Sequence, residues 1–405
     1  MTHTPAPVPD AAIPAQDADI RSSASYADSK PHYVTLDGLR GSAALLVLVY
    51  HVFEGLAFAA GVDVITGLNH GYLAVDFFFI LSGFVIGYAY DDRLRTTMTT
   101  GGFIRRRLIR LHPMIVMGAL IGFAAFWVQG GVHWDGTHVA LSTALLSLLL
   151  SLFMIPAFPG SQLDVRGNAE MFPFNGPAWS LFFEYIGNLL YVLFIHRLST
   201  RALGWLAFVT GACLALFSLF DLSGYGMLGV GWTLDGWNFP GGLLRMLFPY
   251  TMGMWLARRF RPRRRVKGAF WICSAVLLGL FLVPYIPGKS PVCLNAVFEM
   301  VCVMVIFPLI LLTAAASQPR HRLSMKACKW VGDISYPLYA IHYPVMYVFY
   351  AWLIEGKRYT LAEAWPQALL AVVLSIVIAV ICLKLYDEPV RKWLSARFIH
   401  TGEKK

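Results

Sequence analysis

Apolar stretches long enough to cross a lipid bilayer recur along this chain from residue 41 to residue 386, and that recurrence constrains the fold more than any other feature. A hydrocarbon core about 30 Å thick needs about 20 predominantly apolar residues in a helix, because the backbone must satisfy its own hydrogen bonds there. Eleven runs qualify, at roughly 41–60, 72–90, 111–128, 139–157, 178–196, 202–220, 243–257, 268–286, 293–315, 333–353 and 366–386. Hydrophobic residues make up 57% of the 405 positions and charged residues only 14%, more apolar surface than a water-soluble domain can hide. The expected fold is all-α: a polytopic transmembrane helical bundle.

Charge placement orients that bundle. The formal net charge of +10 does not spread over one face, as nucleic-acid binding would require, but gathers in short clusters between apolar runs. Arg93, Arg95, Arg105, Arg106, Arg107 and Arg110 form one cluster, and Arg258, Arg259, Arg261, Arg263, Arg264, Arg265 and Lys267 a denser one. Loops 54–71 and 221–242 contain no Lys or Arg. Basic loops belong on the cytoplasmic side, and ten spans with both termini cytoplasmic put every cluster there, whereas eleven do not. The surplus run is assigned to 139–157, expected to be re-entrant or interfacial.

Residues 1–35, rich in Ala, Pro, Asp and Ser, lack the apolar core of a signal peptide and read as a disordered cytoplasmic tail. Residues 36–394 form the membrane domain, and 395–405 a cytoplasmic C-terminal tail. The six cysteines lack close Cys or His spacing, so no metal site is expected and they read as free thiols.

Ionisable groups inside membrane helices cost several kcal/mol and therefore mark candidate functional sites. His51 sits about 15 Å into the first run, at mid-depth, and Arg40 lies eleven residues earlier on nearly the same helix face. Glu184 lies at a depth compatible with His51, and an imidazole beside a carboxylate is a common way to fix one tautomer of a general base. Equally, His51 fits a packed core histidine. Asp76 reads as a structural partner for a neighbouring Arg, while His342, with Tyr336 and Tyr339, fits structure and substrate contact equally well. Arg107 and Arg110, three residues apart, share a helix face suited to phosphate as well as to topology signalling. His32 and Asp37 match a His-x-x-x-x-Asp acyltransferase spacing in the wrong context, which chance explains better.

These residues fall in segments that resemble the acyltransferase-3 family of bacterial membrane O-acyltransferases, over about residues 36–393. LDGLRGSAALLVLVYH (36–51) resembles the family's opening motif, GYLAVDFFFILSGFVI (71–86) its second span and FIRRRLIRLHP (103–113) its arginine motif. GPAWSLFFE (176–184), ISYPLYAIHYPV (334–345) and YDEPVRKWL (386–394) resemble later elements in the same order. Tyr185 after Glu184, and His112 before Pro113, depart from the commoner pattern.

The resemblance implies a ten-helix enzyme of the bacterial cytoplasmic (inner) membrane that takes an acyl group from acyl-CoA, commonly acetyl-CoA. The acceptor would be a hydroxyl on a cell-surface or exported glycan or lipid-linked sugar, reached without a fused extracytoplasmic domain. No permanently bound cofactor is implied. On this reading Arg40, Arg107 and Arg110 hold the CoA phosphates, and His51 acts as base or acyl carrier with Glu184 as its partner. Asp37, Asp76, Trp179, Ser180, Tyr336, Tyr339 and His342 provide substrate or structural support. A proton-coupled transporter or a noncatalytic glycan-export partner would also place polar groups at mid-depth, and the acceptor, acyl length and oligomeric state stay open.

Overall fold

The computed structural model describes residues 32–261, 265–289 and 291–399. Most of the expected N-terminal tail, the last six residues, and Arg263 and Arg264 of the dense basic cluster lie outside the described residues.

Thirteen α-helices carry the described chain, and among the described residues two isolated bridges are the only β-pairing. In chain order they are α1 (Val34–Ala60), α2 (Ala74–Thr96), α3 (Thr100–Val128), α4 (Leu141–Leu152), α5 (Ala178–Leu193), α6 (Thr200–Leu219) and α7 (Asn238–Arg259). There follow α8 (Ala269–Leu282), α9 (Leu294–Val301), α10 (Phe307–Ala315), α11 (Arg322–Glu355), α12 (Leu361–Cys382) and α13 (Glu388–Phe398). One π-helical turn, Cys302–Ile306, joins α9 to α10 and another, Leu383–Asp387, joins α12 to α13.

Local chemistry sets the helix ends. Thr99 caps α3 by accepting the Gly102 N–H at 3.1 Å, Ser199 caps α6 in the same way, and Thr360 with Glu363 forms a reciprocal capping box on α12. At the C-terminus of α1, Gly61 takes a left-handed conformation, φ 66°, that a side chain would oppose.

Six helical stretches among the described residues are long and apolar enough to cross a membrane: 34–60, 71–96, 100–128, 200–219, 294–315 and 361–398. Run 139–157 shrinks to the 12 residues of α4, about 18 Å of helix and short of a full crossing. Runs 178–196 and 268–286 likewise yield helices of 16 and 14 residues. The backbone leaves the helical conformation early at their ends; at Met154, just past α4, φ is +57°.

Two helix pairs organise the packing, α1 against α11 and α2 against α7, with α3 and α12 also flanking α11. Without a hydrophobic drive between helices in lipid, close approach of small residues takes over. A Cβ at Gly83 would collide with the Tyr250 carbonyl, one at Gly253 with the Ile80 carbonyl, and one at Gly41 with the Val331 carbonyl. Gly83→Val and Gly253→Val should each lower thermal stability in detergent by the equivalent of about 1–3 kcal/mol or more. Gly101→Ala, where a Cβ meets open space, should cost nothing and so serves as the control.

Candidate active site

A cavity with about 860 Å³ of empty space runs between α1, α2, α3, α5 and α11. Along α2 it extends from Val75 to Ile86, about 16 Å. Arg40, Arg107 and Arg110 line it with Asp37 and Glu184, while Ser180 and Tyr339 line it nearer the middle of the bundle.

Of the three arginines, two already have carboxylate partners. Arg40 Nη2 lies 3.1 Å from Asp37 Oδ1 and its Nε donates to Ser335 at 2.8 Å. Arg107, buried, donates from Nη2 to Glu184 Oε1 at 2.6 Å, and Ser82 donates to the same carboxylate oxygen at 2.9 Å. Arg110 is exposed and has no ion pair among the described residues.

Tyr336 bonds the Leu111 carbonyl, fixing α11 on α3. Ser180 Oγ donates to the Pro177 carbonyl at 2.9 Å and so accepts from Tyr339 Oη at 2.6 Å. Trp179 lies outside the lining, its ring 5.3 Å from the guanidinium carbon of Arg245.

Beyond Tyr339 a file of rings leads to His51. Tyr339 packs on His342 with centroids 5.9 Å apart, and His342 stacks on His51 at 5.1 Å. The partner expected for His51 was Glu184, and here the structure corrects the sequence reading: His51 Nδ1 lies 2.7 Å from Glu54 Oε2, one turn along its own helix. Glu184 instead serves Arg107 and Ser82, since a nearer cation on α3 takes its charge. Tyr343 and Tyr350 donate to the same Glu54 oxygen at 3.1 and 3.0 Å. With Glu54 ionised, Nδ1 of His51 is the N–H donor and Nε2 keeps its lone pair.

His342 holds its tautomer differently. Its Nδ1 donates to the Leu338 and Tyr339 carbonyls, both at 3.0 Å, leaving Nε2 buried and without a partner.

Asp76 is fully buried in a two-pronged ion pair with Arg245, 2.6 Å from Nη2 and 3.2 Å from Nε, well away from His51 in role as in contact. Beside it, Glu299 accepts from Tyr72, the Leu228 N–H and Asn295. This clasp ties α2, α7 and α9 to the segment between α6 and α7.

Sequence reasoning passed over Glu54, although the spacing HVFE at 51–54 places it on the His51 face of the helix. It also missed Arg245, Glu299 and the segment between α4 and α5, where Glu170 accepts from Tyr347. Burial pushes the Glu170 carboxyl up to about 7, against the opposing pull of Tyr347 and Arg166 and with the help of Glu54.

The chain is similar to known acyltransferases. The profile of an acyltransferase domain matches residues 33–384. Protein 2 in the picA locus of Rhizobium radiobacter is 34% identical over 166 residues, 39% of this chain and 80% of that protein. The acyltransferase MdmB of Streptomyces mycarofaciens is 31% identical over 186 residues, 43% of this chain, which spans only 42% of that relative. The putative membrane-bound transacylase BcsY of Komagataeibacter xylinus is 25% identical over 316 residues, 76% of this chain and 72% of its own length. No solved structure matches.

Two outcomes check this geometry. Asp76→Asn strands the buried Arg245 charge and should cost about 3–5 kcal/mol, read as loss of thermal stability in detergent. The Glu170 carboxyl, raised from 4.5 to about 7 in the fold, gives stability that is present below pH 4.5 and lost as pH rises towards about 7. Glu170→Gln should therefore match the wild type most closely at pH 4 and unfold at higher temperature than it at pH 8.

Proposed function

Since the chain belongs to the acyltransferase-3 family, and is a multi-pass membrane acyltransferase, we propose that it moves an acyl group, most simply acetyl, from cytoplasmic acyl-CoA to a glycan hydroxyl. The observation that carries this reading is the His51–Glu54 pair, set one layer of rings beyond a cavity whose other end is basic.

The donor enters at the arginine end. Arg110 meets a CoA phosphate first, because Arg40 and Arg107 must share their charge with Asp37 and Glu184. The pantetheine arm lies along the apolar wall of α2 towards Tyr339, which places the thioester near the two imidazoles.

The acceptor hydroxyl gives its proton to Nε2 of His51 as its oxygen adds to the thioester carbonyl. Collapse of the tetrahedral intermediate breaks the C–S bond, and the departing thiolate takes that proton from the imidazolium. Glu54 holds the imidazole in the working tautomer and stabilises its charged form, while Tyr343 and Tyr350 keep the carboxylate in place. Glu184 holds Arg107 at the donor cavity and thus acts on donor binding instead of on the base. Ser180 and Tyr339, hydrogen-bonded to each other at the inner end of the cavity, are the hydroxyls nearest the developing oxyanion.

Purified protein in lipid nanodiscs, given labelled acetyl-CoA and a glycan, tests the reading by CoA release. His51→Ala should lower turnover by about 10²–10⁴-fold, the usual value of a positioned base, and Glu54→Gln by a smaller factor. Arg110→Gln should raise the KM for acetyl-CoA about tenfold with kcat little changed, the sign of lost ground-state binding. Full CoA release by His51→Ala protein would refute the assignment.

A further inference from the structure

At the end of the bundle opposite the arginines, polar atoms lie buried with nothing to bond. Gln129 follows the last turn of α3, and Trp134, Arg166, Asn168 and Glu170 follow in the segments on either side of α4. Gln129 Nε2, Trp134 Nε1, Arg166 Nη2 and Asn168 Oδ1 are all enclosed and unpaired. Leaving a buried polar atom without a partner is costly, so a cluster of four needs a reason.

The groups around them are tightly held. Arg166, only 2% exposed, donates from Nε to the Pro173 carbonyl at 2.6 Å and from Nη1 to Gln129 Oε1 at 2.7 Å. Its guanidinium carbon lies 3.6 Å from the centre of the Tyr347 ring and 5.4 Å from that of Trp134. The backbone N–H of Trp134 reaches the Arg166 carbonyl at 3.0 Å, and Asp164 accepts the Gly167 and Ala169 N–H groups to shape the turn. Spare bonding capacity therefore sits in a fixed frame. That frame adjoins the proposed base: Tyr347 packs on Tyr343 at 4.6 Å, and Tyr343 on His51 at 4.7 Å.

We propose that Gln129, Trp134, Arg166, Asn168 and Glu170 form the subsite for a neutral polyhydroxylated acceptor, a sugar whose reacting hydroxyl extends past Tyr343 to His51. The mixture of groups selects the class. Three unpaired donors stand beside two acceptors, Asn168 Oδ1 and the Glu170 carboxyl, and a hydroxyl both gives and accepts hydrogen bonds. A phosphate, which only accepts, would satisfy the donors but face Glu170. The inference rests on the acyl-transfer reading for the acceptor's fate but not for its binding.

Binding is therefore measured without donor, in His51→Ala protein in nanodiscs, by hydrogen exchange of segments 129–139 and 160–170. The probes are methyl glucoside, cellobiose and N-acetylglucosamine, with glycerol phosphate as the anionic control. At least one neutral glycoside should slow exchange in both segments while glycerol phosphate does not. Trp134→Phe, which removes the indole N–H together with part of the ring, and Asn168→Ala should each raise the half-protecting concentration about fivefold or more, while the unbound exchange pattern reports that the fold survives. If no glycoside protects these segments, if glycerol phosphate protects them equally, or if both variants bind as the wild type does, the unpaired atoms serve ordered water only and the subsite is overturned. Failure of acyl transfer itself would appear separately, as absent CoA release in wild-type protein.

Discussion

Within an apolar bundle an ion needs a counter-ion, and this protein meets that requirement by pairing charges across helices. Asp76 with Arg245 joins α2 to α7, Glu184 with Arg107 joins α5 to α3, and Asp91 with Arg258, 2.5 Å apart, joins α2 to α7 again. Leaving either member of such a pair alone costs more than the pair gains, so the pairs fix which helices may be neighbours. The glycine contacts of α2 on α7 then set how closely those neighbours approach.

α11 carries most of what distinguishes a working site from a packed bundle. Ser335 meets Arg40, Tyr339 and His342 follow along the helix, and Tyr343, Tyr347 and Tyr350 beyond them hold Glu54 and face Glu170. One helix therefore touches the donor cavity, the imidazoles and the segment at the far end. Two prolines, Pro337 and Pro344, interrupt its backbone bonding across that middle stretch. The two histidines differ in how they are held: His51 by an ionised side chain, His342 by carbonyls of its own helix.

Much of this was legible in the amino-acid order. Apolar period and length gave the helical membrane class, and ordered motifs from LDGLRG to ISYPLYAIHYPV fall within the family match at residues 33–384, which stops short of YDEPVRKWL. Depth was a weaker guide: counting 1.5 Å per residue set Glu184 level with His51 and left Arg107 in a basic cluster, yet Glu184 and Arg107 meet at 2.6 Å. What depth does not contain is azimuth. Glu184 lies at a level compatible with either His51 or Arg107, and only the rotation of α5 and the position of α3 decide that it meets the arginine.

The sequence by itself determined the solvent this protein lives in, the helical class, the family and the set of groups too costly to bury without purpose. Those are properties of local composition, spacing and order, which survive in one dimension. The tertiary structure decided which carboxylate serves which cation, that Glu54 and not Glu184 holds His51, and that Arg110 is left without an ion pair among the described residues. Such pairings depend on lateral neighbours and helix rotation, set by packing between residues up to hundreds of positions apart, and no local signal encodes them.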